Sequence, residues 1–173
     1  YKRQGVIGAG WAARMLACGL IVNAYDPSVK ARKQLLSNTK TALKSLQRLG
    51  LNNNAKLSNL KIYSDLRESL HSTTFVQENA PENEKLKKKL LKDIDKLLPK
   101  NIIIASSSSG LLPTRIQSLC NYPERVCIGH PFNPVYLLPL VELVSGKLTK
   151  KNTITGAKKF YEGIGMKLSL IHI

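Results

Sequence analysis

His130 closes an apolar run over residues 126–129 and opens onto Pro131-Phe132-Asn133-Pro134, where two prolines restrict the backbone. Further on, Glu142 stands inside Leu138-Pro139-Leu140-Val141-Glu142-Leu143-Val144. A carboxylate in so apolar a segment is costly unless it has a hydrogen-bonding or charged partner. His130 is the nearby side chain able to become cationic. Such a pair at the ends of strands suits general-base chemistry, the acid orienting the imidazole and stabilising its protonated form. The same residues also suit a structural histidine and an edge-strand glutamate facing water, and both readings stand at this point.

The first segment offers another chemistry. Gly8-Ala9-Gly10-Trp11-Ala12-Ala13 matches the GxGxxA pattern of dinucleotide sites. A second register fits the downstream spacing better, with Gly5 and Gly8 as the second and third glycines and the first replaced by Arg3. Position 3 lies 23 residues before Asp26, close to the ~20 that separate the first glycine from the acid on the ribose. Gly5-Val6-Ile7-Gly8 then lets the backbone approach a pyrophosphate, and the helix that follows supplies N–H donors and a positive dipole. Asp26 would accept from ribose hydroxyls and repel a 2′-phosphate. No arginine follows it closely in sequence, so NAD is favoured over NADP. Its other reading is a turn residue ahead of Pro27.

These residues need elements to hold them. The spacing predicts a glycine-rich turn over 5–10, a short helix over 11–18 and a strand over 20–25. A helix follows over 28–49, with Val29, Leu35, Leu36, Leu43 and Leu46 as its apolar positions. Strands are expected over 60–63, 73–77, 101–105, 126–129 and 138–144. A helical turn is expected over 65–70 and helices over 82–98 and 152–161. The 82–98 helix has Leu86, Leu90, Leu91, Ile94, Leu97 and Leu98 in one stripe, its lysines reading as a solvated face. Alternating strands and helices indicate an α/β fold with a doubly wound, largely parallel sheet.

Composition narrows the classes. The 173 residues carry 27 Lys and Arg against 11 Asp and Glu, a net +16. The lysines are scattered along helices and aromatics are sparse, so the charge reads as a solvated surface rather than a nucleic-acid platform. No apolar run approaches the ~18 residues of a membrane span. Cys18, Cys120 and Cys127 form no CxxC pair, which fits free thiols in the cytoplasm and neither disulfides nor a metal site. Tyr1-Lys2-Arg3-Gln4 and Leu168-Ser169-Leu170-Ile171 can be encoded by the two strands of one sequence, TATAAGAGACAG, that of a transposase sequencing adapter. Residues 1–4 and 168–173 are therefore expected to be adapter-derived, leaving residues 5–167 as the domain.

Ser106-Ser107-Ser108-Ser109-Gly110, Gly129-His130-Pro131-Phe132-Asn133-Pro134-Val135-Tyr136 and Pro139-Leu140-Val141-Glu142 together resemble the NAD domain of the 3-hydroxyacyl-CoA dehydrogenase family. The start Gly-Val-Ile-Gly-Ala-Gly-Trp-Ala-Ala-Arg and Val76-Gln77-Glu78 before Ala80-Pro81-Glu82 belong to the same pattern. Within the family the likeness is greatest to the branch that oxidises L-carnitine. The resemblance implies a Rossmann-type sheet with its first strand missing and the C-terminal helical domain absent. It implies His130 as the base for the hydroxyl proton, Glu142 as its partner and Ser109 as a hydrogen-bond donor to the reacting oxygen. Ser109 reads equally as an N-cap without the resemblance. Asn133 falls on the asparagine that touches nicotinamide, and Glu82 and Lys87 on further NAD contacts.

The implied activity is oxidation of the 3-hydroxyl of a short hydroxy acid, L-carnitine first, by a protein expected to be a homodimer at full length. The alternatives are a 3-hydroxyacyl-CoA dehydrogenase, a gulonate-type 3-dehydrogenase and an NAD-binding module without catalysis. In relatives acting on acyl-CoA a Ser and a Lys on the helix after the ribose acid contact CoA, and a gapless carry-over of the resemblance puts Ala42 and Leu49 there, neither of which can replace them. The fragment alone is expected to be inactive.

Overall fold

The computed structural model describes residues 4–50 and 55–171. They fall into two compact units: one runs to His71 and includes Phe132–Pro139, and the other comprises Ser72–Pro131 and the residues from Leu140 onward.

The first unit contains α1 (Gln4–Ala17), β1 (Val22–Tyr25), α2 (Val29–Arg48), β2 (Leu60–Tyr63) and α3 (Leu66–Ser69). Strands β1 and β2 pair in parallel, Val22 opposite Leu60 and Tyr25 opposite Tyr63. Helix α2 supplies the crossover that a parallel pair requires. The turn expected over residues 5–10 is absent, because α1 already runs from Gln4. Ala9, Ala12, Ala13, Leu16 and Ala17 are buried, and Ala13 and Ala17 pack with Ala42 and Leu46 of α2. That apolar face carries the helical period back through Gly8 and Gly5, against the ~1 kcal/mol that each glycine costs a helix. Gly19, at φ 79°, stops α1. Ser28 caps α2 by accepting from the Ala31 N–H at 3.3 Å. Its expected stripe is shifted: Thr39, Ala42 and Leu46 are buried, whereas Val29 is exposed.

The second unit contains β3 (Phe75–Glu78), α4 (Glu84–Leu97), β4 (Ile103–Ser106), α5 (Pro113–Ile116), β5 (Val126–Pro131), β6 (Leu140–Ser145), α6 (Lys151–Gly163) and β7 (Lys167–Ile171). The strands lie in chain order in one sheet. β3, β4 and β5 are parallel, β6 is antiparallel to β5, and β7 is parallel to β6. The reversal at β6 follows from residues 132–139, which contain no crossover helix. Residues 168–171, set aside in the sequence reading, continue β7, while 1–3 and 172–173 lie outside the described residues. Ile104, Ala105, Val126, Cys127, Val141 and Leu143 form the centre of the core. Among the described residues no helix is long and apolar enough to cross a membrane.

Candidate active site

Strands β5 and β6 set His130 directly opposite Glu142, and imidazole Nδ1 lies 2.9 Å from Glu142 Oε2. The two side chains are 27% and 31% exposed, so Glu142 is not sunk in an apolar strand. Val141 and Leu143 face the core while Glu142 faces the other way. The sequence hid this alternation because Leu138 and Leu140 on the open side are also apolar. When Nδ1–H donates to the carboxylate, the neutral ring carries its lone pair on Nε2, the nitrogen a general base uses.

A second cluster forms where β3 and β4 end. Glu82 Oε1 accepts from Ser108 Oγ at 2.5 Å, Ser109 N–H at 3.0 Å and Gly110 N–H at 2.9 Å. Burial alone raises the Glu82 pKa, but those donors and the Lys87 charge together bring it below the ordinary carboxylate value. The bonds fold residues 108–110 around one oxygen and leave Ser109 exposed. Ser109 is not an N-cap, since α5 begins after Leu112. Lys87 departs from the solvated-face reading: it is 1% exposed. Its ammonium donates to both oxygens of Glu78 and to the Ala80 carbonyl, each at 2.9 Å. Glu78 also accepts from Ser106 Oγ at 2.5 Å and from the Ala80 N–H.

Sequence reasoning gave no site role to Glu78, Gln77, Asn79 or Tyr161, although Gln77 and Glu78 stand within the family pattern. Glu78 carried a signal, as an acid at the end of an apolar strand followed by a helical lysine. Gln77 and Tyr161 carried none, being 84 residues apart and joined only by a 2.6 Å hydrogen bond.

The dinucleotide residues sit in the first unit. Gly10 is a packing glycine, since a Cβ there would lie 3.0 Å from Val135 Cβ. Gly5 is different: among the described residues a Cβ would meet nothing nearer than Asn38 Nδ2 at 4.0 Å. Among the described residues, packing therefore does not demand glycine at 5. Val6 is exposed and Ile7 half-buried. No acid occupies the first turn of α1, so its N-terminal dipole is not neutralised there.

Asp26 follows β1 directly and is half-buried. One of its oxygens accepts from the Ser28 N–H at 2.8 Å, which is the turn role, and its second oxygen remains to serve a ribose hydroxyl. An arginine does come close in space, Arg32 Nη1 donating to the Asp26 carbonyl at 2.7 Å. Helical spacing along α2 brings it there, which the sequence distance concealed. Asn133 is exposed within 132–139, also in the first unit. Ala42 is buried in the α1–α2 core and cannot face any ligand. These residues fit a dinucleotide: an open glycine at an un-neutralised helix start, then an acid at the end of the next strand.

The comparisons with known proteins agree with this chemistry. Residues 4–171 match the family described as 3-hydroxyacyl-CoA dehydrogenase, NAD binding domain. The chain is 42% identical to L-carnitine dehydrogenase of Staphylococcus epidermidis, covering 98% of this chain and 52% of that protein. It is 45% identical to L-carnitine dehydrogenase of Burkholderia mallei, covering 94% and 51%. It thus spans about half the length of the curated relatives it matches. Among solved structures, 3-hydroxybutyryl-CoA dehydrogenase of Escherichia coli superposes with a TM-score of 0.90 at 27% identity, over 98% of this chain and 36% of that one. An NAD+-dependent pyridine-carboxylic acid 5-dehydrogenase gives 0.89 at 30% identity, over 97% and 55%. The chain belongs to the NAD-binding domain family of the 3-hydroxyacyl-CoA dehydrogenases.

Proposed function

We propose that this chain is the NAD-binding part of a dehydrogenase that oxidises the 3-hydroxyl of a short hydroxy acid, L-carnitine being the first candidate. The observation that carries the reading is the 2.9 Å His130–Glu142 pair. NAD, when bound, supplies the hydride acceptor. Gly5, Val6, Ile7 and Gly8 at the start of α1 hold its pyrophosphate, and Asp26 holds a ribose. His130 takes the substrate hydroxyl proton on Nε2, and Glu142 orients the ring and stabilises the imidazolium that results. Ser109 donates to the reacting oxygen, and Asn133 positions the nicotinamide. Glu82 and Lys87 serve the cofactor through the backbone they fix, since the three Lys87 donors are held by Glu78 and Ala80.

Carnitine is favoured over acyl-CoA by the two L-carnitine dehydrogenase relatives. The whole protein is proposed to be a cytoplasmic homodimer with a small-molecule substrate and without nucleic-acid or membrane partners. Reduction of NAD by the full-length protein, followed at 340 nm with L-carnitine, 3-hydroxybutyryl-CoA and L-gulonate, tests the reading. Turnover of L-carnitine alone is expected, and preference for the CoA ester would replace carnitine with the acyl-CoA alternative. Asp26→Ala should weaken NAD and, with Arg32 adjacent, relax discrimination against NADP. An unchanged preference would remove Asp26 from the ribose.

A further inference from the structure

Beneath the base and the serine turn runs a polar chain that no step above uses. Tyr161 of α6 is fully buried, packed against Phe75 and Phe160, and donates its hydroxyl to Gln77 Oε1 at 2.6 Å. Gln77 Nε2 donates in two directions, to Ser107 Oγ at 2.8 Å and to the Gly129 carbonyl at 3.2 Å. Ser107 Oγ donates in turn to Asn79 Oδ1 at 2.7 Å, and Asn79 Nδ2 returns to the Gln77 carbonyl at 2.8 Å.

The directions in this chain are forced. The Gly129 carbonyl only accepts, and Ser107 has its one proton on Asn79, so both must receive from the Gln77 amide. The amide oxygen is then left to Tyr161. Turning the amide over would set its oxygen against the Gly129 carbonyl and against the Ser107 oxygen, whose one proton is on Asn79. One rotamer of Gln77 is thereby locked by three partners, from the turn after β4, from β5 and from α6. Glycine at 129 is demanded by the same arrangement, because a Cβ there would lie 1.8 Å from the Tyr161 oxygen.

Two of the atoms so held adjoin the proposed machinery. The Gly129 carbonyl belongs to the peptide that leads into His130, and Ser107 lies two residues before Ser109. We propose that Gln77 is a positioning residue for the dehydrogenation: its amide ties the strand carrying His130 to the turn carrying Ser109, with Tyr161 fixing the amide. The inference rests on the functional reading above and adds to it a residue that touches neither substrate nor cofactor.

A displacement of ~1 Å in such a site costs on the order of 10²-fold in rate. In the full-length protein, Gln77→Leu should lower kcat for the wild-type substrate by roughly 10- to 100-fold, with the Kd for NAD unchanged. Tyr161→Phe, which removes one hydroxyl without altering the aromatic packing, should lower kcat by less and in the same direction. Combining Gln77→Leu with Ser109→Ala should cost much less than the product of the singles. The His130 ring 15N signals should shift or broaden in Gln77→Leu. Wild-type kcat in both variants, an unmoved imidazole signal or fully multiplicative losses would overturn the tether. If the unsubstituted protein oxidises no 3-hydroxy acid, the functional reading falls. The imidazole signal then decides the tether alone: a shift in both variants upholds it, and an unmoved signal refutes it.

Discussion

Helix α4 contributes one member of a buried cation–carboxylate pair towards each end, Lys87 to Glu78 and Asp95 to Arg125, and the two pairs differ in what their remaining donors hold. Near its start, Lys87 joins Glu78 and the Ala80 carbonyl, and Glu78 reaches Ser106 at the head of the serine turn. Towards its end, Arg125 places Nε and Nη2 on Asp95 Oδ1 at 3.0 and 2.8 Å. Its guanidinium also takes the carbonyls of Asp95, Leu98, Pro99 and Ile102. Asp95 Oδ2 accepts from the Asn121 and Tyr122 N–H groups at 2.6 and 3.3 Å. A planar five-donor fork suits a helix end full of orphan carbonyls, whereas three ammonium donors suit one carboxylate and one turn. The Arg125 end closes structure on itself. The Lys87 end passes its order to the turn that presents Ser109, with Glu82 alongside at 41% side-chain exposure.

If that division is right, substitutions on the site side of this unit should alter turnover and those at the Arg125 end should alter stability. The largest effect is expected at His130 and Glu142. Each glutamine substitution should lower turnover of the full-length enzyme by ~10²–10⁴-fold, the usual reach of a general base, with little change in Tm. Glu142→Gln removes the charge that stabilises the imidazolium formed in the step and loosens the hold on the ring. Because the two act as a unit, the double variant should lose much less than the product of the singles. Multiplicative losses would separate them.

At the other end, Arg125→Met leaves Asp95 buried without its cation, a change that typically costs ~3–5 kcal/mol. Urea denaturation should register it, while kcat per folded molecule stays near wild type. A comparable loss of kcat at unchanged stability would break the proposed division. The thiols report the same end at smaller scale. Burial pushes the Cys127 thiol up to about 12. Cys120 is also raised to about 12, by burial first and then by the Asp95 charge, with Arg125 partly offsetting. Exposed Cys18 should therefore be the thiol that a maleimide modifies quickly at neutral pH. Arg125→Met should speed Cys120 more than Cys127 by opening the loop around Asp95. Equal rates for all three thiols in the wild type would contradict the sealed end.

Where the sequence could be read and where it could not follows one physical line. His130 and Glu142 were legible as a pair because adjacent antiparallel strands set them opposite each other. The parallel pairing of β3, β4 and β5 was legible from alternation of strand and helix. Lys87 was not, because a lysine among lysines has no composition signal. Its burial depends on a stripe through Leu91, Ile94, Asp95 and Leu98, offset from the Leu86 and Leu90 positions that the apolar pattern suggested. The helical start of α1 was hidden because glycines suggest a turn, while the packing of Ala13 and Ala17 on α2 overrides that tendency. Gln77 and Tyr161 meet only in the folded chain.

The smallest expected effect concerns Glu82, and it asks whether its charge, rather than its shape, holds the serine turn. Burial works against ionisation here, but the Ser108 hydroxyl, the Gly110 and Ser109 N–H groups and the Lys87 charge outweigh it, so the folded pKa lies below the ordinary value. A group depressed on folding contributes stability that is fully present above its unfolded pKa and lost as pH falls through its folded pKa. The contribution is small, since the side chain is well exposed to screening solvent. Glu82→Gln keeps an oxygen to accept from the same donors and removes only the charge. Its Tm should therefore lie slightly below that of the wild type near pH 7, and the gap should close below the usual carboxylate range, where Glu82 itself becomes neutral. Glu84, also held low by Lys88 and Arg115, titrates in both proteins and drops out of the difference. A gap that persists at the acid end would mean that the amide cannot copy the geometry. No gap at neutral pH would mean that the charge contributes nothing to the turn.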